Sequence, residues 1–398
     1  MTATGCLSIV IVRRLPQPLC ETGLRARLLL EDGEAIDGCG FGRPRVSVGE
    51  VVFTTGMTGY VEALTDPSYA GQILVWTHPM VGCYGVPART HSIYGIPIDY
   101  ESDRVQVEGF VASELPLPSH YLSVRNLHEW LGESGVPGMY KVDTRALVKR
   151  IRERGVMMGI LATFNEKDEV GWDALEKTLR YGAKYDTTDF TERVSPKEPI
   201  THEPPAKPTA AVSVLDCGLK YGILRQLLRL GFRVTRFPCD TGADELLDGF
   251  RGVVISNGPG NPAMLMHQVK TVREVVESGT PVLGICLGMQ LLSLAFDADT
   301  YKLRYGHRGP NKGVVDVVTG RSYITTQNHG YAVNEATLRG TGLTLWFRNV
   351  DDETVEGVRH VKLPAIGVQF HPEGGPGPRD TSWIFELFKK MVSKCGDS

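Results

Sequence analysis

The sequence predicts an α/β protein in which a β-rich α/β region precedes a doubly wound, mostly parallel sheet. Three observations support this fold class. Short strand-like runs dominate the first half, strand and helix patterns alternate in the second half, and a proline-rich stretch separates the halves. The length of 398 residues fits two or three domains of about 150 residues each.

The proline-rich stretch is the clearest boundary in the chain. Residues 196–208 hold five prolines in 13 positions and few apolar side chains. Because proline fixes φ and disfavours helix before it, we predict an extended linker here. This boundary leaves a first domain at 25–195 and a second at 209–398. Residues 1–24 are predicted to be a poorly ordered extension, or the product of an upstream start codon, with a targeting role as the alternative.

Apolar runs bounded by turn residues predict the strands, and apolar residues three and four apart predict the helices. In the first half, strands are predicted at 27–30, 51–54 and 73–75, and helices across Leu147 and Ile151, capped by Asp143, and across Trp172, Leu175 and Leu179. In the second half, strands are predicted at 211–215, 233–237, 253–256, 281–285 and 323–326. Helices are predicted at 221–230 and from Leu287 onwards. Two further helices are predicted from apolar spacing, one across Leu265, Val269, Val272 and Val276 and the other across Ile384, Leu387, Phe388 and Met391. In such sheets, sites form at the carboxyl ends of the strands.

Composition and charge argue against several classes of function for this chain. Apolar residues make up 42% and charged residues 22%, as in ordinary soluble domains. The net charge of −3 carries no electrostatic signature of nucleic-acid binding. No apolar run reaches the roughly 18 residues of a membrane-spanning helix. The eight cysteines form no C-x-x-C pair, so we expect a cytoplasmic protein whose thiols mostly act as small core residues.

A glycine-flanked cysteine at the end of the strand predicted at 281–285 is the first candidate for chemistry. Gly284 and Gly288 surround Cys286 in a G-x-C-x-G pattern, the cysteine counterpart of a nucleophile elbow. The start of a helix favours thiolate at this position, and the N–H of Leu287 would point at a developing oxyanion. The alternative interpretation is a buried core cysteine.

A histidine and a glutamate at another strand end supply a base and its orienting group. His371 and Glu373 are two residues apart, so in extended chain they project to the same side. Glu373 can accept a hydrogen bond from one imidazole nitrogen while the other faces Cys286, which is the logic of a catalytic triad. Alone, the H-P-E sequence would more often be a loop feature. The other nine histidines are expected to be surface or satisfied core residues.

Two turns rich in glycine and amide side chains add polar groups. Residues 256–262 follow a predicted strand and look superficially like a phosphate loop, but they lack both G-x-G-x-x-G and the P-loop lysine. Taken alone, this segment also fits a plain tight turn. Residues 327–331 follow another strand and offer amide and backbone groups suited to a small polar substrate.

These motifs together resemble a known family. The set GICLGMQ, SNGPGNP, QNHGY and HPE resembles class I glutamine amidotransferases, over about residues 209–398. The front half resembles the small subunits of carbamoyl phosphate synthetases, and that resemblance extends from about Arg25 to the C-terminus. The segments that carry it are residues 49–69, 142–145, 215–220 and 306–309.

The resemblance implies a role for each matching residue. Cys286 matches the nucleophile, His371 the base and Glu373 its orienting group. Gly260 and Leu287 match the backbone donors of the oxyanion hole. The glutamine-binding positions are matched by Ser68 from the first domain and by Gly258, Gln290, Asn328, Gly330 and Tyr331.

The implied activity is hydrolysis of L-glutamine to L-glutamate and ammonia. The resemblance implies no metal and no cofactor in this subunit, since a separate large subunit uses ATP, magnesium and bicarbonate to make carbamoyl phosphate from the ammonia. It therefore implies a hetero-oligomer. Two alternatives stay open: a stand-alone glutaminase or the subunit of another synthetase, and a non-catalytic subunit that only organises its partner.

Overall fold

The computed structural model describes residues 20–168 and 170–394, which form two main sheets with helices around them. Most of the predicted N-terminal extension, together with Cys6 and Cys395, lies outside the described residues. In the first half the strands are β1 (Leu24–Leu30), β2 (Ala35–Gly42), β3 (Arg45–Thr54), β4 (Gln72–Trp76), β5 (Val86–Pro87), β6 (Ser92–Ile93), β7 (Ile96–Pro97), β8 (Gly109–Ala112), β9 (Ser123–Arg125), β10 (Pro137–Tyr140) and β11 (Met157–Asn165). The helices are α1 (Tyr60–Leu64), α2 (Leu127–Glu133), α3 (Thr144–Arg154), α4 (Trp172–Tyr181) and α5 (Thr191–Val194).

Seven strands of the first half form a sheet that closes on itself, in the order β1, β11, β3, β4, β8, β10, β2. Inward-facing apolar side chains such as Leu28, Val51 and Ile73 fill its interior. Helix α3 begins where the sequence predicts, because Asp143 Oδ1 accepts a hydrogen bond from the N–H of Ala146.

The second half forms a ten-stranded sheet. Its strands are β12 (Ile200–His202), β13 (Ala210–Asp216), β14 (Phe232–Pro238), β15 (Val253–Ile255), β16 (Val282–Ile285), β17 (Thr300–Asp316), β18 (Ser322–Val333), β19 (Leu343–Asn349), β20 (Val355–His360) and β21 (Ala365–Val368). Its helices are α6 (Tyr221–Arg229), α7 (Ala243–Leu247), α8 (Met266–Glu277), α9 (Leu287–Ala295) and α10 (Trp383–Lys394). Short 3₁₀ turns occur at Pro67–Tyr69, Tyr185–Thr187, Pro262–Met264 and Glu335–Leu338.

The predicted parallel arrangement is present at the centre of this sheet. Strands β14, β13, β15, β16 and β21 are mutually parallel, so their carboxyl ends meet at one edge. On one side, β20, β19, β17 and β18 extend the sheet through antiparallel pairs, which the sequence analysis did not predict. Residues 327–331 consequently lie inside β18 rather than after a strand, because β17 pairs with β18 along this stretch.

The proline-rich stretch is more than a linker. It is extended, as predicted, but within it β12 pairs with β14 and forms an edge of the ten-stranded sheet. An edge strand tolerates flanking prolines because one side of its backbone needs no partner.

The prediction that the cysteines other than Cys286 mostly act as plain core thiols is wrong for four of them. Cys20 is bonded to Cys39, and Cys217 is bonded to Cys239. Their Cα–Cα separations are 5.2 and 4.8 Å, within the range that a disulfide spans. Spacing alone did not predict these bonds, because the partners are 19 and 22 residues apart and meet only when neighbouring strands pair.

No helix among the described residues combines the length and the apolar character needed to cross a membrane.

Candidate active site

The predicted tight turn is present at Cys286, between β16 and α9. Its φ of 55° and ψ of −107° lie in a region that side-chain-bearing residues rarely adopt. The turn depends on its two glycines. A Cβ on Gly288 would lie 2.1 Å from the carbonyl oxygen of Ile255, and one on Gly284 would lie 2.6 Å from the carbonyl oxygen of Gly288. The strained backbone presents the Cys286 thiol at the start of α9.

The base and its orienting carboxylate lie at the end of β21. His371 Nδ1 is 2.7 Å from Glu373 Oε1, and both side chains are fully buried. Burial alone would lower the pKa of His371, but the charge of Glu373 and hydrogen bonding with Cys286 and Glu373 raise it to about 10. The imidazole is therefore protonated at neutral pH.

The thiol and the imidazole are neighbours without a fully formed hydrogen bond. Cys286 contributes to the raised pKa of His371, yet His371 Nε2 has no hydrogen-bond partner within normal limits in the described part of the chain. Catalytic hydrogen bonds are often loose in a ligand-free active site and tighten when substrate binds. Cys286 Sγ also lies 3.7 Å from the carbonyl oxygen of Asn328.

A buried lysine completes the charge balance of this group. Lys220 Nζ lies 2.9 Å from Glu373 Oε1 and donates a hydrogen bond to the carbonyl oxygen of Gly375 at 2.6 Å. Burial would raise the pKa of Glu373, but the charges of Lys220 and His371 hold it well below its ordinary value. The sequence analysis noted Lys220 only as part of a family segment and assigned it no role in the site.

The predicted glutamine-binding residues surround one small cavity of about 20 Å³. This volume holds about one water molecule. The side chains and backbone of Ser68, Gly258, Gly260, Gln290, Asn328, Gly330 and Tyr331 line it together with Cys286. Leu287 follows Cys286 but is not part of the lining. The sequence analysis assigned no site role to five further lining residues, which are Gln72, Tyr185, Pro259, Arg308 and His329.

Specific hydrogen bonds fix the orientation of the lining residues. Asn328 Nδ2 donates to Asp66 Oδ2 at 3.0 Å, and Asn257 Nδ2 donates to Ser68 Oγ at 2.9 Å. Gln290 Nε2 donates to the carbonyl oxygen of Tyr331 at 2.9 Å. Asp66 and Ser68 come from the first half of the chain, so both halves build the pocket.

The backbone donors beside Cys286 are not equivalent. The N–H of Gly260 donates to the hydroxyl of Tyr185 at 2.9 Å, so in this state it is already used. The N–H of Gly258 has no acceptor in the described part of the chain, and a Cβ on Gly258 would lie 2.8 Å from Leu287 Cδ2. As the first residue of α9, Leu287 has an N–H that the helix itself cannot pair. The role predicted for Gly260 in the oxyanion hole stays a prediction, while Gly258 has an N–H that is not already used by a protein acceptor among the described residues.

Three buried side chains behind the pocket have the composition of a metal site. The ligand atoms of His307, His329 and Glu356 lie within 4.8 Å of one another. Asn349 Oδ1 accepts a hydrogen bond from the N–H of Asp351, so the other end of this amide, Nδ2, points toward the cluster. Asn349 Nδ2 donates a hydrogen bond to Glu356 Oε1 at 3.2 Å. An N–H donor beside these three side chains disfavours the binding of a metal cation, so we interpret the cluster as a hydrogen-bonded network.

The charges of that network support the same interpretation. Burial would lower the pKa of His307, but its contacts with Asp352 and Glu356 raise it to about 9. His307 is therefore an imidazolium between two carboxylates and needs no additional cation.

A larger cavity, of about 660 Å³, lies on the far side of Glu373. Its walls include Glu62, Tyr84 and Glu101 from the first half of the chain and Arg225 from the second. Cys286 is not among its lining residues, so the cavity is adjacent to the triad but does not contain the nucleophile.

Comparison with known proteins agrees with this geometry. The family profile "Glutamine amidotransferase class-I" matches residues 213–391, and the profile "Carbamoyl-phosphate synthase small chain, CPSase domain" matches residues 28–161. The chain belongs to the carbamoyl phosphate synthase small chain family.

Curated members of this family match nearly end to end. The small chain of Sulfolobus acidocaldarius is 50% identical over 91% of this chain and 95% of its own length. The small chain of Pyrococcus furiosus is 49% identical over 92% of this chain and 97% of its own length. The small chain of Sulfurisphaera tokodaii is 48% identical over 94% of this chain and 98% of its own length. The family identity is consistent with the two sheets, since the two profiles match the closed sheet and the ten-stranded sheet in turn.

Proposed function

We propose that this chain is the glutamine-hydrolysing subunit of a carbamoyl phosphate synthase. One observation carries the chemistry: a strained cysteine at a helix start faces a buried histidine–carboxylate pair in a pocket lined by amides and backbone groups. These groups together are suited to acyl transfer, and the family of the chain indicates that the amide substrate is L-glutamine.

The reaction has two halves. The Cys286 thiolate attacks the side-chain amide carbon of glutamine, forming a C–S bond, and the C–N bond breaks as His371 protonates the departing ammonia. His371 then removes a proton from water, which attacks the thioester carbon, and the C–S bond breaks to release glutamate and restore the Cys286 thiolate. The N–H groups of Leu287 and Gly258 stabilise the tetrahedral oxyanion in each half, and one such donor contributes roughly 3 kcal/mol.

The remaining parts of the proposal concern the partner. A large chain would receive the ammonia and combine it with bicarbonate at the expense of ATP and magnesium, so this chain needs no cofactor or metal of its own. We propose a hetero-oligomer of the two chains in the cytoplasm.

The test uses the chain with its large partner. Cys286→Ser should abolish carbamoyl phosphate synthesis from glutamine while synthesis from added ammonia continues, because the large chain's chemistry is untouched. Cys83→Ser is the matched control, since Cys83 is a free, half-buried thiol outside the pocket. If glutamine-dependent synthesis persists in Cys286→Ser, the mechanism is wrong. If the wild-type chain hydrolyses glutamine at a rate that no large chain changes, it is a stand-alone glutaminase.

A further inference from the structure

Arg308 is a buried cation in the wall of the small pocket. It lies on β17 directly opposite Asn328 on β18, and it lines the same cavity as Cys286. The residue is 5% exposed. Its position places a guanidinium at the substrate pocket, away from water.

This guanidinium lacks an anionic partner. Among the residues that the structure describes, no carboxylate oxygen lies within 4.0 Å of it, and its Nε atom has no hydrogen-bond partner. Its Nη1 atom donates a hydrogen bond to the neutral carbonyl oxygen of Tyr305 at 2.7 Å. Buried charges in proteins are normally paired, because leaving one unpaired costs several kcal/mol.

The neighbouring phenols do not fill this role. Tyr69 and Tyr185 are close enough to feel the charge of Arg308, but burial raises the pKa of each well above its ordinary value. Both hydroxyls therefore stay neutral, and the Tyr185 hydroxyl already accepts the N–H of Gly260. Within the described part of the chain, the cation therefore has no counter-charge.

We propose that Arg308 binds the α-carboxylate of glutamine, an inference that rests on the function proposed above. The α-carboxylate is the one anionic group of that substrate, and three carbons separate it from the amide carbon that Cys286 attacks. A guanidinium presents paired donors that match a carboxylate. Its Nη2 lies 3.4 Å from where a Cβ on Gly330 would stand, so the absence of a side chain at Gly330 leaves room beside it.

The experiment compares Arg308→Gln with Arg304→Gln, an exposed arginine four residues earlier on β17. Both variants are assayed with the large chain present. We expect Arg308→Gln to raise the KM for L-glutamine about 10- to 100-fold with kcat changed by less than about fivefold, since a charge-assisted hydrogen bond contributes about 1.5–3 kcal/mol. Arg304→Gln should leave KM unchanged, and Arg308→Lys, which keeps the charge, should restore part of the loss.

A second measurement separates substrate recognition from folding. Iodoacetamide alkylates Cys286 and carries no carboxylate, so its rate should be the same in Arg308→Gln and wild type. An unchanged KM, or a raised KM accompanied by an equal loss in alkylation rate, would overturn the proposal. Failure of the proposed function looks different, because wild type and Arg304→Gln would then also fail to hydrolyse glutamine.

Discussion

At the scale of single residues, Glu373 determines the protonation state of the triad. It touches His371 at 2.7 Å and Lys220 at 2.9 Å, and all three side chains are buried. The carboxylate therefore stabilises two cations at once. Of the charges around His371, Lys220 opposes its protonation while Glu373 favours it. Removing the negative charge should thus lower the pKa of the histidine.

We predict that Glu373→Gln shifts the pH dependence of glutamine hydrolysis. In the wild type, the pKa of His371 is raised to about 10, so the imidazolium that protonates departing ammonia persists through neutral pH. In the variant that pKa falls, so the imidazolium is lost at lower pH and the alkaline limb of the kcat profile moves toward neutral. At pH 8 we expect kcat to fall about 100-fold, the size of a typical general acid–base contribution.

A stopped ammonia assay across pH 6–10 measures this profile. Glu386→Gln is the control, because the side chain of Glu386 is 46% exposed and pairs only with Arg229 among the ion pairs of the described residues. An alkaline limb at the same pH in Glu373→Gln and wild type would show that Glu373 does not tune His371.

Residue chemistry was predictable where a motif lies in one short segment. The elbow around Cys286 and the pair His371–Glu373 could be recognised because their spacing alone places the groups. Lys220, Tyr185 and Arg308 could not, since each reaches the site from a segment whose position in the fold is not visible in the sequence. Arg308 in particular enters the pocket because β17 pairs with β18.

At the scale of elements, the disulfide Cys217–Cys239 ties the carboxyl ends of β13 and β14 together. Both ends lie on the edge of the sheet that carries the site. The backbone of Cys217 also packs against the loop that carries Gly258, because a Cβ on Gly258 would be 2.2 Å from the carbonyl oxygen of Cys217. The bond therefore holds a segment that adjoins both the loop and Lys220.

We predict that the double variant Cys217→Ala, Cys239→Ala loses about 3 kcal/mol of unfolding free energy, the value expected for closing a loop of this length. Urea unfolding of the double variant and wild type, without reductant, measures the difference. Peptide mass spectrometry under the same conditions should find the Cys217–Cys239 link in the wild type. Equal stability in the two proteins, with the link present, would contradict the prediction.

Only part of the ten-stranded sheet could be predicted from the sequence. The parallel core was predictable because alternating strand and helix patterns imply it. The long hairpin of β17 and β18 was not, since residues 300–316 lack a simple apolar alternation and carry polar groups that face the pocket and the His307 network. Function, rather than burial, determines their residue types.

At the scale of the whole molecule, contacts between the two sheets complete the active site. Lys302 on β17 is 2.7 Å from Glu50 Oε1 on β3 and 2.5 Å from Asp186 Oδ1. Asp186 also accepts a hydrogen bond from the hydroxyl of Tyr331 at 2.6 Å. This lysine thus joins the closed sheet, the ten-stranded sheet and the segment that carries Tyr185.

We predict that Lys302→Gln destabilises the protein by about 3 kcal/mol, because it leaves the buried carboxylate of Glu50 without its cation. Lys312→Gln is the matched control on the same strand: Lys312 is 3.7 Å from the exposed Asp351, and such a surface pair contributes less than about 1 kcal/mol. Urea unfolding followed by fluorescence and by circular dichroism measures both variants. Because Lys302 connects the two sheets, the two probes should coincide in the wild type and separate in Lys302→Gln. Coincident transitions with a loss no larger than that of Lys312→Gln would mean that other contacts hold the sheets together.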